Sequence, residues 1–357
     1  MPNITLPSLA KYFLLLGGTV FGGPLALCAH IKAELVERRG WLSSDEYKEG
    51  LAMATALPGP IAYQLGIYAA WLRRGWMGGL VAAGAFLLPP FLLCLIGAIL
   101  YQRYRETWVL HALFYGVGPV IIALILKAGY KMGRTTFAGL VPWGIGLIGT
   151  ALVTLTHIDP TWLFIAAALL GVFTHQAKAM PKNNVGSIEV QLGLFFFKAA
   201  CVLFGSGLVI IPMIQRYVVD QYHWLDIKTF VDAVAVGMMT PGPVVITATF
   251  VGYLAAGLAG AVTSTVGMFA PSVLFIFIGA PILRRYRGHR IVRGAVAGIA
   301  PAVVGVIFGA SLKLGTTALV DPLTWGIAAT ALLCTLRWRV PDLALILAAG
   351  AVGVLVQ

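Results

Sequence analysis

Two Pro-Gly-Pro motifs, at residues 58–60 and 241–243, lie in the middle of apolar stretches of the sequence. Proline lacks the N–H group that continues the helical hydrogen-bond ladder, and it moves the preceding residue out of the helical region. Each motif therefore predicts a helix that breaks and restarts, with the second proline at the first position of the new helix. The leading N–H groups of the restarted helices, predicted to be those of residues 61–63 and 244–246, have no helical acceptors, and such helix ends bind anions.

A second pair of breaks is predicted at Phe-Gly-Gly-Pro, residues 21–24, and at Phe-Gly-Ser-Gly, residues 204–207. We expect the four half-helix ends to converge on one cavity that binds a small anion. The predicted substrate-binding residues are Gly22, Gly23, Pro24, Pro58, Gly59, Pro60, Ile61, Ala62, Tyr63, Gln64, Gly205, Ser206, Gly207, Thr240, Pro241, Gly242, Pro243, Val244, Val245 and Thr247. The alternative is that the prolines only kink helices for packing, since glycine and proline are common in membrane helices.

Five charged residues in or beside the apolar stretches are candidates for gating, or for coupling transport to an ion gradient. They are Glu37, Glu49, Lys198, Asp220 and Asp232. Glu49 and Asp232 each lie nine residues before a Pro-Gly-Pro motif, about 13 Å along a helix, and are the better candidates for binding a proton. Lys198 lies near the end of its apolar segment, where it can instead reach the interface by snorkelling.

The composition is that of a membrane protein. Of the 357 residues, 59% are hydrophobic and only 11% are charged, whereas soluble domains carry about 25% charged residues. Several apolar stretches reach the roughly 20 residues needed to span a bilayer. The 25 basic residues outnumber the 13 acidic ones, but they lie mainly in short loops, where positive charge sets membrane topology.

The sequence contains an internal duplication with an offset of 183 residues, which superimposes the two Pro-Gly-Pro motifs and matches Trp41-Leu42 with residues 224–225. After a one-residue deletion the offset becomes 182, and Arg-Tyr-Arg at 103–105 recurs at 285–287. We predict an all-α polytopic membrane protein of two tandem homologous units, residues 1–174 and 190–357, joined by a polar linker at 175–189.

The second unit is predicted to be inverted in the membrane. Its basic residues favour the loops after odd-numbered apolar segments, whereas those of the first unit tend towards the loops after even-numbered segments. That reversal is expected of an inverted repeat with discontinuous helices. Inversion requires an odd number of crossings per unit, yet each unit has six apolar segments, so one segment is predicted to be re-entrant or incomplete.

The stretch between the first two apolar segments, residues 32–50, is unusually rich in charge. Ser43, followed by Glu46 three residues later, predicts a capping box, and Asp226 at the matching place in the second unit predicts an N-cap. The stretch is either a solvated connector or part of a gate.

The motifs at 21–24, 57–60 and 240–249 resemble those of the chromate transporter family in its long, two-domain form. The flanking Trp41-Leu42 and residues 252–257 fit as well, and the likeness spans nearly the whole chain. The resemblance implies a multi-pass protein of the inner cell membrane that exports chromate, drives export with the proton gradient and confers chromate resistance. The family residues carried over are Gly22, Gly23, Pro24, Pro58, Gly59, Pro60, Pro241, Gly242 and Pro243.

Other activities stay open from the sequence, namely transport of sulfate or another small anion, and an anion channel. The expected partners are an oxyanion, the lipid bilayer and protons; a homodimer is left open, and nucleic acid is not expected. No Walker, HExxH or nucleophile-elbow motif is found, and the four cysteines and six histidines are scattered. No enzyme activity, cofactor or metal ion is therefore expected. The N-terminal residues lack a cleavable signal pattern, so we expect the first apolar segment to be retained.

Overall fold

The computed structural model describes residues 4–21, 23–136, 150, 186–201, 203, 207–279, 281, 308, 311–312, 314–338 and 340–357. These residues are predominantly helical, and no β-strand occurs among them. Three of their helices are long and apolar enough to cross a membrane, namely Ile61–Tyr104, Trp108–Tyr130 and Val244–Gly279. The predictions for Gly22, Gly205 and Ser206, and most of those for 137–185 and 282–310, lie outside the described residues.

The first repeat contains five α-helices and one π-helical turn in its described part. They are α1 (Leu6–Thr19), α2 (Gly23–Ile31), the π-turn (Lys32–Arg38), α3 (Ser44–Ala56), α4 (Ile61–Tyr104) and α5 (Trp108–Thr136). α1 and α2 are separated at the first predicted break, and α3 and α4 at the first Pro-Gly-Pro motif. Ser43 and Glu46 form the predicted capping box at the start of α3.

The second repeat follows the same order, with more 3₁₀ and π geometry. Its elements are α6 (Ile188–Cys201), a 3₁₀ turn (Gly207–Ile210), α7 (Ile211–Gln215), a π-turn (Arg216–Gln221), α8 (Ile227–Met239), a 3₁₀ turn (Val244–Ile246), α9 (Thr247–Leu274), a π-turn (Phe275–Gly279), α10 (Pro322–Leu333), a π-turn (Cys334–Trp338) and α11 (Asp342–Val356). The Asp226 carboxylate caps α8 by accepting the Thr229 N–H at 2.8 Å, as predicted.

Unusual backbone geometry recurs at matching positions of the two repeats, which confirms the tandem duplication. The π-turns after α2 and α7 are each followed by a left-handed residue, Gly40 (φ 61°) and His223 (φ 52°), 183 positions apart. Left-handed geometry is unfavourable for a residue with a Cβ atom. Its retention at His223 shows that the fold, rather than the residue type, imposes this turn.

α4 and α9 each consist of two antiparallel arms. The turns lie at Gly75 (φ 58°) and Gly257 (φ 61°), which match at an offset of 182. Across the first turn the Tyr63 hydroxyl donates to the Ala83 carbonyl at 3.2 Å. The first arm of α4, residues 61–73, is only about 20 Å long, shorter than the roughly 30 Å hydrocarbon core. The second arm, residues 76–104, is long enough to cross it.

The second arms of α4 and α9 run in opposite directions. Trp76, at the start of one, packs on Phe277, near the end of the other, with ring centroids 4.5 Å apart. A Cβ atom at Gly79 would also lie 2.5 Å from the Phe277 ring. Since these arms are corresponding elements of the two repeats, their opposite directions are what an inverted repeat requires.

The chain divides into two compact units, and each unit draws on both repeats. Unit 1 comprises Met1–Leu100, Gly186–Gly207 and Val236–Arg287, and unit 2 comprises Tyr101–Val185, Leu208–Ala235 and Gly288–Gln357. These units differ from the predicted repeats, whose boundaries at 174 and 190 stay a prediction. In unit 2, α5 packs closely on α11, and Lys127 pairs with Asp342 at 2.8 Å.

Candidate functional site

The first hairpin is formed by α3 and the first arm of α4, with the Pro-Gly-Pro motif at residues 58–60 as its tip. A Cβ atom at Gly50 would lie 2.5 Å from the Tyr68 ring, so the two arms touch along their length. α3 has 13 residues and is therefore about 20 Å long. A hairpin of that length, inserted from one surface, ends inside the hydrocarbon core.

The base of the first hairpin is closed by an ion pair between its arms. The Arg73 guanidinium donates to both carboxylate oxygens of Glu46, in one case at 2.9 Å, and to the carbonyl of Trp41. These hydrogen bonds hold the pKa of Glu46 below its usual range. The clamp fixes the spacing of the two arms at the surface end of the hairpin.

The second hairpin is formed by α8 and the first arm of α9, with the motif at residues 241–243 as its tip. Just behind the tip, a Cβ atom at Gly237 would overlap the Thr247 hydroxyl, so the arms are in contact there. Gly207 packs on the same tip, because its Cβ position lies 3.0 Å from the Val245 side chain.

The two tips are held by reciprocal backbone hydrogen bonds between the repeats. The Gly59 N–H donates to the Leu203 carbonyl at 2.6 Å, and the Gly242 N–H donates to the Val20 carbonyl at 3.1 Å. The two donor glycines are 183 positions apart in the sequence, and so are the two acceptor residues, so the two hydrogen bonds correspond in the repeats. Val20 and Leu203 directly precede the predicted breaks at 21–24 and 204–207. Each tip is therefore hydrogen-bonded to the residue that precedes the predicted break of the other repeat, within unit 1.

The first tip presents three backbone N–H groups that lie outside the helical ladder. The first ladder bond of α4 runs from the Gln64 N–H to the Pro60 carbonyl at 3.0 Å. The N–H groups of Ile61, Ala62 and Tyr63 precede it, as predicted. The helix begins at Ile61, one residue later than predicted. Pro60 is therefore its N-cap residue, and the Pro60 carbonyl accepts the first helical hydrogen bond.

The second tip differs from the prediction of three free N–H groups on residues 244–246. The Ile246 N–H donates to the Pro243 carbonyl at 3.0 Å, which leaves only Val244 and Val245 outside the ladder. The reason is the 3₁₀ geometry of this turn, whose hydrogen bonds close one residue earlier than those of an α-helix. The Thr240 and Thr247 hydroxyls donate to carbonyls of their own helices, at 2.8 and 2.9 Å.

Ser272, on the second arm of α9, is a tip residue that sequence reasoning missed. A Cβ atom at Gly59 would overlap both the Gln64 side-chain nitrogen and the Ser272 hydroxyl, so these groups face Gly59 directly. Gln64 also donates to the Pro58 carbonyl. A lone serine in an apolar helix has no sequence signal of its own, and only the packing of the two repeats reveals this one.

The predicted gating and coupling residues fall in different environments. Glu37 is exposed and pairs with Lys32 at 3.3 Å, and Asp220 is exposed on the matching π-turn. Lys198 is exposed near the end of α6, and Glu49 is half-buried on α3. Of the five predicted residues, Asp232 alone is buried.

Asp232 lies on α8 in unit 2, where it is 5% exposed and accepts a hydrogen bond from the Tyr101 hydroxyl at 2.8 Å. Two neighbouring cavities of about 330 and 290 Å³ are both lined by Asp232, Lys228 and His111. Lys228 and His111 are exposed, and their side-chain nitrogens lie 3.1 Å apart. Since Asp232 is one helical turn beyond Lys228, the cavities connect an exposed rim with a buried carboxylate.

Comparison with known proteins gives a single family. The family model described as "Chromate transporter" matches residues 7–172 and again 190–354, as a duplicated chain requires. The chromate transport protein of Cupriavidus metallidurans is 38% identical over 341 residues, covering 90% of this chain and 85% of its own length. The probable chromate transport protein of Synechococcus elongatus is 35% identical, covering 99% of this chain and 96% of its own.

A half-length relative aligns as well. An uncharacterized transporter of Bacillus subtilis is 33% identical over 154 residues, which is 42% of this chain and 85% of that protein. No solved structure matches. With a family model matched once in each repeat, and with apolar helices interrupted where the motifs place the breaks, this multi-pass membrane protein belongs to the chromate transporter family.

Proposed function

We propose that the protein exports chromate across the inner cell membrane and that export is driven by the proton gradient. The observation that supports the proposal is that the Gly59 and Gly242 N–H groups at the two tips donate to the residues preceding the predicted breaks of the opposite repeats. Discontinuous helices at matching positions of two repeats mark the substrate sites of transporters. The names of the relatives supply chromate as the substrate.

The chemistry of the tips suits a tetrahedral anion that must also be released. Backbone N–H groups donate hydrogen bonds without a fixed positive charge, and the helix dipole adds to the attraction. A hydrogen bond to a charged group contributes about 1.5–3 kcal/mol. Two or three such bonds bind an oxyanion firmly yet reversibly, whereas a cluster of arginines would favour tight chelation.

Asp232 is our candidate for the coupling proton. A charge on a buried carboxylate is costly, so gain or loss of a proton there changes the energy of the conformation that holds it. Tyr101 is placed to donate to the ionised form at 2.8 Å. α8 carries Asp232 in its middle, and the second tip begins just beyond its end, nine residues after Asp232. Protonation is therefore able to bias the position of a tip.

The decisive test is uptake of radiolabelled chromate into inverted vesicles. Wild-type vesicles energised with a proton gradient should accumulate chromate, and an uncoupler should abolish accumulation. The matched control is vesicles that contain the Asp232→Asn variant, which should equilibrate chromate without accumulating it. Uptake that ignores the uncoupler would instead identify a channel, and accumulation of sulfate but not chromate would identify a sulfate transporter.

A further inference from the structure

We infer that the transported oxyanion binds at the first tip only, in a monoprotonated form, with Ser272 donating a hydrogen bond to it and Gln64 accepting one from it. This inference rests on the proposed function and names the side chains that select its substrate. It departs from the symmetry of the fold, under which both tips would bind alike.

The first observation is that two buried polar groups at the first tip lack partners. The hydroxyl of Ser272 and the side-chain oxygen of Gln64 are fully buried, and neither has a hydrogen-bond partner among the described residues. Both side chains face Gly59 at the tip. Leaving such groups unpaired is unfavourable. A lone buried hydroxyl such as that of Ser264 does not indicate a ligand, but here two unpaired groups lie on side chains that face the same glycine, and a ligand that pairs with both accounts for them.

The orientation of the Gln64 amide follows from its neighbour. Its other terminal atom contacts the Pro58 carbonyl, which can only accept a hydrogen bond. The amide NH₂ group must therefore point to Pro58, and the unpaired atom is an acceptor. The first tip thus offers several donors, from Ser272 and the start of α4, together with one acceptor.

The second tip has no such pair of groups. At the position that matches Ser272 stands Pro90, whose ring lies 3.2 Å from the Cβ position of Gly242. The residue that matches Gln64 is Thr247, and its hydroxyl donates to the Val244 carbonyl at 2.9 Å. The 3₁₀ turn also removes one free N–H group. The second tip therefore offers an oxyanion one N–H group fewer and no comparable pair of unpaired side chains, and we infer that it does not bind one.

The set of donors and one acceptor fits a tetrahedral oxyanion that carries a single proton. The unprotonated oxygens accept from Ser272 and the backbone, and the remaining hydroxyl donates to Gln64. Hydrogen sulfate and hydrogen selenate are far stronger acids than hydrogen chromate, so at neutral pH sulfate and selenate are almost wholly dianions. The site therefore discriminates chromate from anions of similar shape by protonation.

Titratable side chains on the elements around the first tip must be separated from titration of the ligand. They are Glu49 on α3, Tyr63 and Tyr68 on the first arm of α4, Cys94 on its second arm, Tyr253 on α9, and Lys198 and Cys201 on α6, which ends just before Leu203. The Tyr63 hydroxyl is held by the Ala83 carbonyl, and the Cys94 thiol lies 3.4 Å from the Ile246 carbonyl. A pH dependence that follows the ligand differs between oxyanions, whereas one that follows these residues does not.

The test compares Ser272→Ala with Ser264→Ala in the vesicle assay. Ser264 is on the same arm, is equally buried and also lacks a partner among the described residues, but it faces Gly252. We expect Ser272→Ala to raise the KM for chromate about tenfold or more, and Ser264→Ala to leave it within about twofold. Equal effects of the two variants would overturn the assignment of Ser272.

A second measurement uses the ligands themselves. With wild-type protein near neutral pH, unlabelled chromate should compete strongly, and sulfate and selenate weakly. Competition by chromate should weaken as pH rises and the monoprotonated form is depleted. Equal competition by selenate and chromate would overturn selection by protonation. If the vesicles transport no chromate, the proposed function fails, but the binding site can still be tested. The test is whether chromate raises the unfolding temperature of the purified Ser264→Ala protein more than that of the Ser272→Ala protein.

Discussion

The two hairpins follow the same backbone course, but the polar side chains beside their tips differ. Both break at Pro-Gly-Pro, and both donate one glycine N–H to the opposite repeat. Yet Gln64 and Ser272 beside the first tip are replaced at the second by Thr247 and Pro90. The difference teaches that the duplicated hairpins kept the same overall geometry while their side chains diverged. On our proposals, the first hairpin binds the oxyanion and the second couples it to a proton.

The side chains at the bases of the two hairpins differ as well. Glu46 and Arg73 clamp the first hairpin, whereas their counterparts in the second repeat are Thr229 and Ala255. Thr229 and Ala255 cannot form this ion pair, so its contribution, about 1 kcal/mol or less, is missing from the second hairpin. The second hairpin is therefore the better candidate for the moving part.

The largest effect is expected from replacing the residues of either tip, 58–60 or 241–243, by three alanines. Each change removes the fixed proline φ angles and the glycine that adopts a positive φ, so the turn that leaves N–H groups free is lost and transport should be lost in both variants. Binding should separate them: only the first-tip variant should lose oxyanion binding, measured by chromate protection against thermal unfolding. Membrane insertion of both variants is the control. Normal transport by either inserted variant would show that its prolines are packing kinks.

The second prediction concerns the matched acids. Asp232→Asn should abolish uncoupler-sensitive accumulation of chromate, because Asp232 is buried with Tyr101 and lines the cavities. Glu49→Gln should reduce accumulation far less, since Glu49 is half-buried on α3. Accumulation ratios with and without uncoupler measure both. The reverse order of effects would place proton coupling in the first hairpin.

A smaller effect is expected from alanine at the tip glycines. Gly59 has φ 131° and Gly242 has φ 94°, so alanine at either is strained, by roughly 1–2 kcal/mol. Gly59→Ala should be the more destabilising, because its Cβ atom would also overlap Gln64 and Ser272, whereas that of Gly242→Ala lies 3.2 Å from Pro90. Thermal unfolding in detergent compares them, and equal losses would contradict the asymmetry of the tips.

The smallest effect is expected at the base clamp. The folded-state pKa of Glu46 lies below its ordinary value of 4.5, so the ion pair stabilises the protein above that pH. This stabilisation is lost as pH falls through the lowered pKa. The pair is partly exposed, so the change in free energy of unfolding should be about 1 kcal/mol or less. Glu46→Gln should remove this part of the pH dependence, measured as unfolding temperature between pH 7 and 3. An unchanged profile would show that the clamp contributes nothing.

Local sequence determined much of this fold, because helix breaks and caps depend on neighbouring residues. Ser43, Asp226 and the two Pro-Gly-Pro motifs were therefore predictable. The 3₁₀ turn that consumes the Ile246 N–H was not, since the two helix types differ only in whether an N–H donates to the third or the fourth preceding carbonyl. The internal duplication showed which residues of the two repeats correspond. The distribution of basic residues among the loops predicted that the second repeat is inverted.

The side chains of the candidate sites were the least predictable part. Tyr101 and Asp232 are 131 positions apart, and no local pattern links them. Ser272 is visible only where α9 packs against the tip of the other repeat. Such partners arise from contacts between repeats, and a single sequence contains no record of those contacts.

The reciprocal hydrogen bonds of Gly59 and Gly242 also constrain the ancestry of the chain. In a protein with only one repeat, the glycine at the tip and the carbonyl beside the break would have no second repeat to meet. A chain of that length therefore needs a second chain to supply these groups, and an inverted repeat implies that the second chain inserts in the opposite orientation. When both repeats belong to one chain they need not be identical, so Ser272 beside one tip is compatible with Pro90 beside the other.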